Sequence, residues 1–272
     1  MRHFILLLAL LMTVRGVEAQ DTASSASEKT HFIIGATYNS AMNYYGRVDS
    51  LKSKGFYPFV GLALANGLYV NATFVFIRNS VQSQYAATLL EGGYNFKSKG
   101  GSWAGTLSAS RFFYEAGIDL VQSAIRETGA FSITNLNKVV DITLGADAKF
   151  SDHVDLGAQG SLDHIIRVPH IFGSGDVLVL DPSATIYAGT QQYTQTFLQQ
   201  QHFLFLPTGE TTLTKNSQQF GILAYELSMP VVYGYKKINI LITPAYILPQ
   251  HVLAGEMAGD LFYMTATVKL TL

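Results

Sequence analysis

Ser161, Asp163 and His164 stand close together in the segment GSLDHII. A hydroxyl, a carboxylate and an imidazole are the three groups of an ester-hydrolysing triad. A nucleophile and its base must come within about 3 Å of each other. In an extended segment, alternation turns Ser161 and Asp163 to one side and His164 to the other, so this local trio does not assemble. His153, His164, His170, His202 and His251 are scattered, without His-x-His or HExxH spacing. A metal would need the loop residues His170, His202 and His251 to converge. Gly-Ser-Gly at 173–175 precedes a strand pattern rather than a helix, so it lacks the geometry that cradles phosphate. Cysteine is absent, which removes thiolate catalysis and thiolate metal ligation. The sequence therefore assigns no catalytic residue, no cofactor and no metal.

The charged residues of the alternating segments carry more. Glu91, Asp141, Asp147, Lys149, Asp155, Asp163, Glu226 and Lys269 all fall on the polar faces of their segments. Lining an aqueous lumen, they would bias the passage of small solutes by charge. Paired across an interior, they would instead fill and rigidify it. Six acids face two lysines in this set, so a pathway lined by them favours cations.

The elements that position these residues are strands. In VVDITLGADAKF, Val140, Ile142, Leu144, Ala146, Ala148 and Phe150 oppose Asp141, Thr143, Gly145, Asp147 and Lys149. The last dozen residues, LFYMTATVKLTL, place Met264, Val268 and Leu270 against Thr265, Thr267 and Lys269. Strands are expected at 31–45, 55–65, 68–78, 84–97, 102–114, 137–150, 154–167, 174–180, 184–197, 217–230, 236–248 and 260–272. Most approach the roughly 9–11 residues of a tilted bilayer-crossing strand. Short turns are expected at Asn66-Gly67, 98–101, 151–153, 181–183 and 233–236, with longer links between them. Asn-Gly suits a type I′ turn, which needs positive φ at both central residues. Within the long link 115–136, Ile118, Leu120, Val121 and Ile125 recur at roughly helical spacing, so a short amphipathic helix or a mobile loop is expected there. Phe203-Leu204-Phe205 forms an apolar patch in link 198–216.

Composition decides which face is wet. Charged residues make up 14% of the chain, against about 25% in soluble domains. The polar positions are mostly Thr, Ser, Asn, Gln and Gly, not the lysines and glutamates of a solvated surface. Residues 1–19 carry a basic start at Arg2, an apolar run from Phe4 to Met12 and small residues ending at Ala19, the pattern of a secretory signal peptide. Without them the chain holds 16 Lys+Arg and 18 Asp+Glu, a net charge of −2 that calls for no nucleic-acid partner. Beyond them no apolar run reaches the roughly 18 residues of a membrane helix.

Signal peptide, strand rhythm from about residue 31 and amphipathic final strand together resemble the outer-membrane β-barrel proteins of Gram-negative bacteria. The resemblance implies an all-β, antiparallel up-and-down transmembrane barrel of about twelve strands, with ten or fourteen as alternatives. It implies residues 1–19 as signal peptide, 20–30 as a flexible periplasmic leader and 31–272 as the barrel, located in the outer membrane. Its partners would be outer-membrane lipid, the barrel-assembly machinery that reads the last strand, and small solutes. That strand commonly ends on an aromatic residue, whereas this chain ends on Leu272. The expected function is a non-enzymatic transport, channel or structural role with a narrow or plugged polar lumen. The alternatives are a barrel hydrolase or lipid-modifying enzyme and a soluble periplasmic barrel binding an apolar ligand.

Overall fold

The structure, a computed structural model, describes residues 29–48, 51–115, 125–192, 215, 217–254 and 256–272. The expected signal peptide, most of the expected leader, the helical pattern at 118–121 and the Phe203–Phe205 patch lie outside the described residues. In chain order the strands are β1 (His31–Asn39), β2 (Asn43–Tyr44), β3 (Arg47–Val48), β4 (Lys54–Ala63), β5 (Leu68–Arg78) and β6 (Ser83–Lys97). Next come β7 (Trp103–Tyr114), β8 (Glu127–Asn135), β9 (Asp141–Phe150), β10 (Val154–Asp163), β11 (Ile166–Pro169) and β12 (Asp176–Leu180). The series ends with β13 (Ser183–Gly189), β14 (Gly221–Ser228), β15 (Val231–Tyr235), β16 (Ile238–Pro249) and β17 (Leu261–Thr271).

Apart from the small β2–β3 hairpin, all strands join one antiparallel sheet, which closes where β17 pairs with both β16 and β1. Closure removes the exposed edges that an open sheet would present. Three staves of the wall are built from two strands each: β10 with β11, β12 with β13, and β14 with β15. The wall therefore has twelve staves. The interruptions fall at His164-Ile165, Asp181-Pro182 and Met229-Pro230. A proline has no N–H to give to a ladder. Its carbonyl still accepts: Pro182 takes the His164 N–H at 3.2 Å, Pro230 the Asp181 N–H at 3.0 Å, and Pro244 the Met229 N–H at 3.1 Å. These bonds keep neighbouring staves joined across the interruptions.

Twelve is the expected number, reached by a different route. Asp181-Pro182-Ser183 is not a turn. β12 pairs with β11 and β15, and β13 with β10 and β14, so both halves run the same way in one stave. The stave thus saved is returned by β8, inside the link expected to be loop or helix. Its sequence, ETGAFSITN, alternates between small residues, so its period is faint. Asn66-Gly67 does turn the chain, but only Gly67 has positive φ (91°), so the loop is not type I′.

Five links join staves at the end of the barrel where β1 starts and β17 finishes: 64–67, 98–102, 136–140, 170–175 and 236–237. All are short. The opposite end, called the loop end here, carries 40–53, 79–82, 115–126, 151–153, 190–220 and 250–260. The 151–153 turn was expected at the first end. Inserting β8 shifts it to the loop end.

Alternation sorts the wall into two faces. Outward side chains are apolar and strongly exposed, as with Phe262 at 66%, Leu144 at 60% and Leu227 at 58%. The outward strand charges Lys54, Arg78, Arg111, Glu127 and Asp176 lie at or near the ends of their strands. Between them runs an apolar belt around the barrel. Outward rings border it on both sides, including Tyr38, Phe56, Phe76 and Phe113 toward the loop end and Tyr94, Trp103 and Tyr235 toward the other.

Candidate functional site

The register turns all eight charged candidates inward. Glu91 lies between Asn71 and Ser110, and Lys269 between Gly35 and Asn239. Asp141 faces Asp163 directly and accepts the Asn137 N–H at 2.7 Å. Glu226 accepts the Tyr263 hydroxyl at 2.8 Å. Asp147, Lys149 and Asp155 come together toward the loop end and are all buried. Lys149 forms an ion pair with Asp147, two residues away on the same strand, and its ammonium lies 5.8 Å from the centre of the Tyr45 ring. Asp155 accepts the Thr190 hydroxyl at 2.6 Å and the Gln192 N–H at 2.7 Å. Gly157 makes room for this cluster, because a Cβ there would meet the Asp147 carboxylate at 2.3 Å. Charge pairing is therefore local along the wall at this point, not across the interior.

Hydroxyl pairs line much of the remaining inner face. Thr37 meets Thr267 at 2.8 Å, Thr134 meets Thr143 at 2.8 Å, Thr185 donates to Ser161 at 3.0 Å, and Ser183 meets Ser228 at 2.7 Å. Ser161 and Asp163 are inward, whereas His164 follows on the opposite parity at the interruption between β10 and β11. His170 and His251 sit at opposite ends of the barrel, so they cannot share a metal, and His202 lies outside the described residues.

The loop end holds the feature that sequence reasoning missed. Link 40–53 turns into the barrel as the β2–β3 hairpin, in which Tyr44 pairs with Arg47. Its central residues, Tyr45 (φ 52°) and Gly46 (φ 77°), both have positive φ, as a two-residue type I′ turn requires. Gly46 lies against the Pro249 ring, where a Cβ would stand 3.0 Å away. Met42, Tyr44 and Tyr45 are buried among inward residues of the wall, including Tyr57, Ile77, Leu223, Ile247 and Tyr263.

Arg47 is 0% exposed. Its Nε donates to both Glu256 oxygens at 3.1 Å. Nη1 donates to the Tyr45 carbonyl at 3.0 Å and the Leu223 carbonyl at 3.4 Å. Nη2 reaches Gln191 Oε1 at 2.9 Å, the Gln250 carbonyl at 2.9 Å and the His251 carbonyl at 3.2 Å. The planar five-donor fork of arginine suits such a set, and a lysine could not fill it. Gln191 Nε2 also donates to the His251 carbonyl at 2.7 Å, and Glu256 takes the Leu253 N–H at 2.7 Å. One guanidinium thus ties links 40–53, 190–220 and 250–260 together. No period announces a loop arginine, and Gln191 and Glu256 were equally silent. Arg167 was legible: it shares the odd parity of Asp155 and Asp163 and faces inward opposite Val179. Glu256 balances Arg47, so of these two arginines only Arg167 reduces the acid excess of the eight candidates.

Twelve antiparallel staves with an apolar outer belt, polar and charged strand residues turned inward below the hairpin and short turns at the end where the wall begins and finishes decide the architecture. The fold is that of an outer-membrane β-barrel. No protein-family model and no curated protein matches the chain. Among solved structures, the NanC porin superposes with a TM-score of 0.51 at 12% identity, covering 89% of this chain and 100% of that one. LpxR from Salmonella typhimurium gives 0.50 at 8% identity, with coverages of 88% and 99%. The KdgM porin gives 0.46 at 8%, with 88% and 99%. At these identities the likeness to NanC and LpxR extends to the barrel fold alone, and chemistry must be argued from this chain's own residues.

Proposed function

We propose that this chain is a non-enzymatic integral outer-membrane channel whose mouth is closed at rest by the β2–β3 hairpin. The loop end faces outward from the cell and the short turns face the periplasm. Lipid covers the apolar belt, and the barrel-assembly machinery acts on β17. The complete burial of Arg47 among three outer links carries the reading. A loop that merely flanked an open pore would leave such a guanidinium in water. Small solutes pass when the hairpin withdraws, along the polar face bearing Glu91, Asp163, Glu226 and Lys269. Asp147, Lys149 and Asp155 brace the wall beside the hairpin.

Reconstitution in planar bilayers tests this. The expected trace is a mostly silent membrane with infrequent openings. A large, steady conductance from the unmodified chain would overturn the closed resting state. In an open variant, Glu91→Gln should lower the preference for cations, and unchanged selectivity would remove Glu91 from the pathway.

A further inference from the structure

Lys54 and Arg78 stand directly opposite each other in the β4–β5 register. They are the first and last residues of their strands, at the loop end. They share their face with Phe56 and Phe76, which are also opposite each other and strongly exposed. Both cations therefore point out of the wall, one outward position beyond the rings, about 6–7 Å further along the strand. The rings form a continuous ledge: Phe56 lies 6.4 Å from Phe76, Phe76 meets Tyr85 edge-on at 5.6 Å, and Tyr38 of β1 lies opposite Phe56.

Like charges directly opposite on neighbouring strands destabilise a sheet. Two other cations of this rim come with acids: Arg111 with Glu127 and Arg126 with Asp152, each at 3.1 Å. Lys54 and Arg78 make no ion pair and no side-chain hydrogen bond among the described residues. Strands β1, β4, β5 and β6 contain a single acid, Glu91, and it faces inward. The wall itself offers this cation pair nothing.

We infer that Lys54 and Arg78 form a clamp for a lipid phosphate monoester in the outer leaflet, with the aromatic ledge receiving the start of its acyl chains. A monoester carries close to two negative charges near neutral pH, which matches two cations, whereas a phosphodiester carries one. The arginine fork takes two phosphate oxygens and the lysine ammonium a third. The rings lie at the level where an apolar body and a polar neighbour are both satisfied. This inference rests on the membrane orientation proposed above.

The test uses the full chain reconstituted into phosphatidylcholine vesicles containing a minor fraction of either phosphatidic acid or phosphatidylglycerol. Flotation is recorded first, and lipid retained through detergent extraction is then counted by mass spectrometry. The wild type is expected to retain phosphatidic acid over phosphatidylglycerol. K54Q/R78Q should lose that preference, by about tenfold or more in retention, while R111Q/E127Q keeps it. Equal retention by wild type and K54Q/R78Q, or equal retention of the two lipids by the wild type, overturns the clamp alone. A wild-type chain that fails to float with vesicles overturns the clamp and the membrane reading together.

Discussion

Replacing Arg47 by methionine keeps much of the side chain's apolar bulk and deletes its charge. The Glu256 carboxylate, whose side chain is 0% exposed like that of Arg47, is then left buried without its cation. The carbonyls of Tyr45 and Gln250 lose the guanidinium as donor as well, whereas those of Leu223 and His251 keep the Gln250 N–H and the Gln191 amide. Removing one partner of a buried pair costs about 3–5 kcal/mol. At 1.4 kcal/mol per tenfold, that shifts the balance between seated and withdrawn hairpin on the order of 10²- to 10³-fold. The cost falls on the seated state, because a withdrawn hairpin returns these groups to water. Single-channel recording should therefore show long openings for Arg47→Met, and the same for Glu256→Met.

The double variant sharpens the argument. Replacing both members of a buried pair by apolar residues of similar volume is often near neutral. R47M/E256M should therefore close again, so the two substitutions are strongly non-additive. Heat-dependent electrophoretic migration confirms that each variant keeps a folded barrel. Single variants as silent as the wild type, with intact barrels, would refute the latch. Double-variant openings equal to the sum of the singles would refute the coupling.

Three further outcomes test the wall. Leu144→Arg, on the apolar belt, should cost about 2–4 kcal/mol of folding into bilayers if that residue lies near the midplane; an unchanged urea midpoint in vesicles would mean that this face is not in lipid. Gly157→Val forces the Asp147 carboxylate aside, since even a Cβ would meet it at 2.3 Å. That crowding should cost about 1–3 kcal/mol, and wild-type stability would show that the Asp147–Lys149 pair moves freely. Asp155→Ala strands the Thr190 hydroxyl and Gln192 N–H, at a cost of about 1–3 kcal/mol. Asp152→Ala loses only an exposed bridge to Arg126, at a cost of about 1 kcal/mol or less. Equal denaturation midpoints for these two variants would contradict the difference in burial.

Much of the barrel was written in local alternation. Successive strand side chains must point to opposite sides, so Leu144 and Phe262 turn outward and Thr143 and Tyr263 inward whatever the neighbouring strands do. Low charge, with Thr, Ser and Asn in place of Lys and Glu at the polar positions, then favours the polar side as the inner one, which is where the register puts it. The stave count was not local. Pro182 breaks a strand as readily as it makes a turn, and only the partners of β12 and β13 on both flanks choose between them. The small residues of β8 hide a strand that pairing with β7 and β9 makes plain. The mouth lay furthest from the sequence. Arg47, Gln191 and Glu256 belong to links without a period, separated by 144 and 209 positions from the arginine. What joins them is closure of the wall, which brings β1, β14, β16 and β17 around one opening, where the N–H groups of a buried guanidinium must all find acceptors.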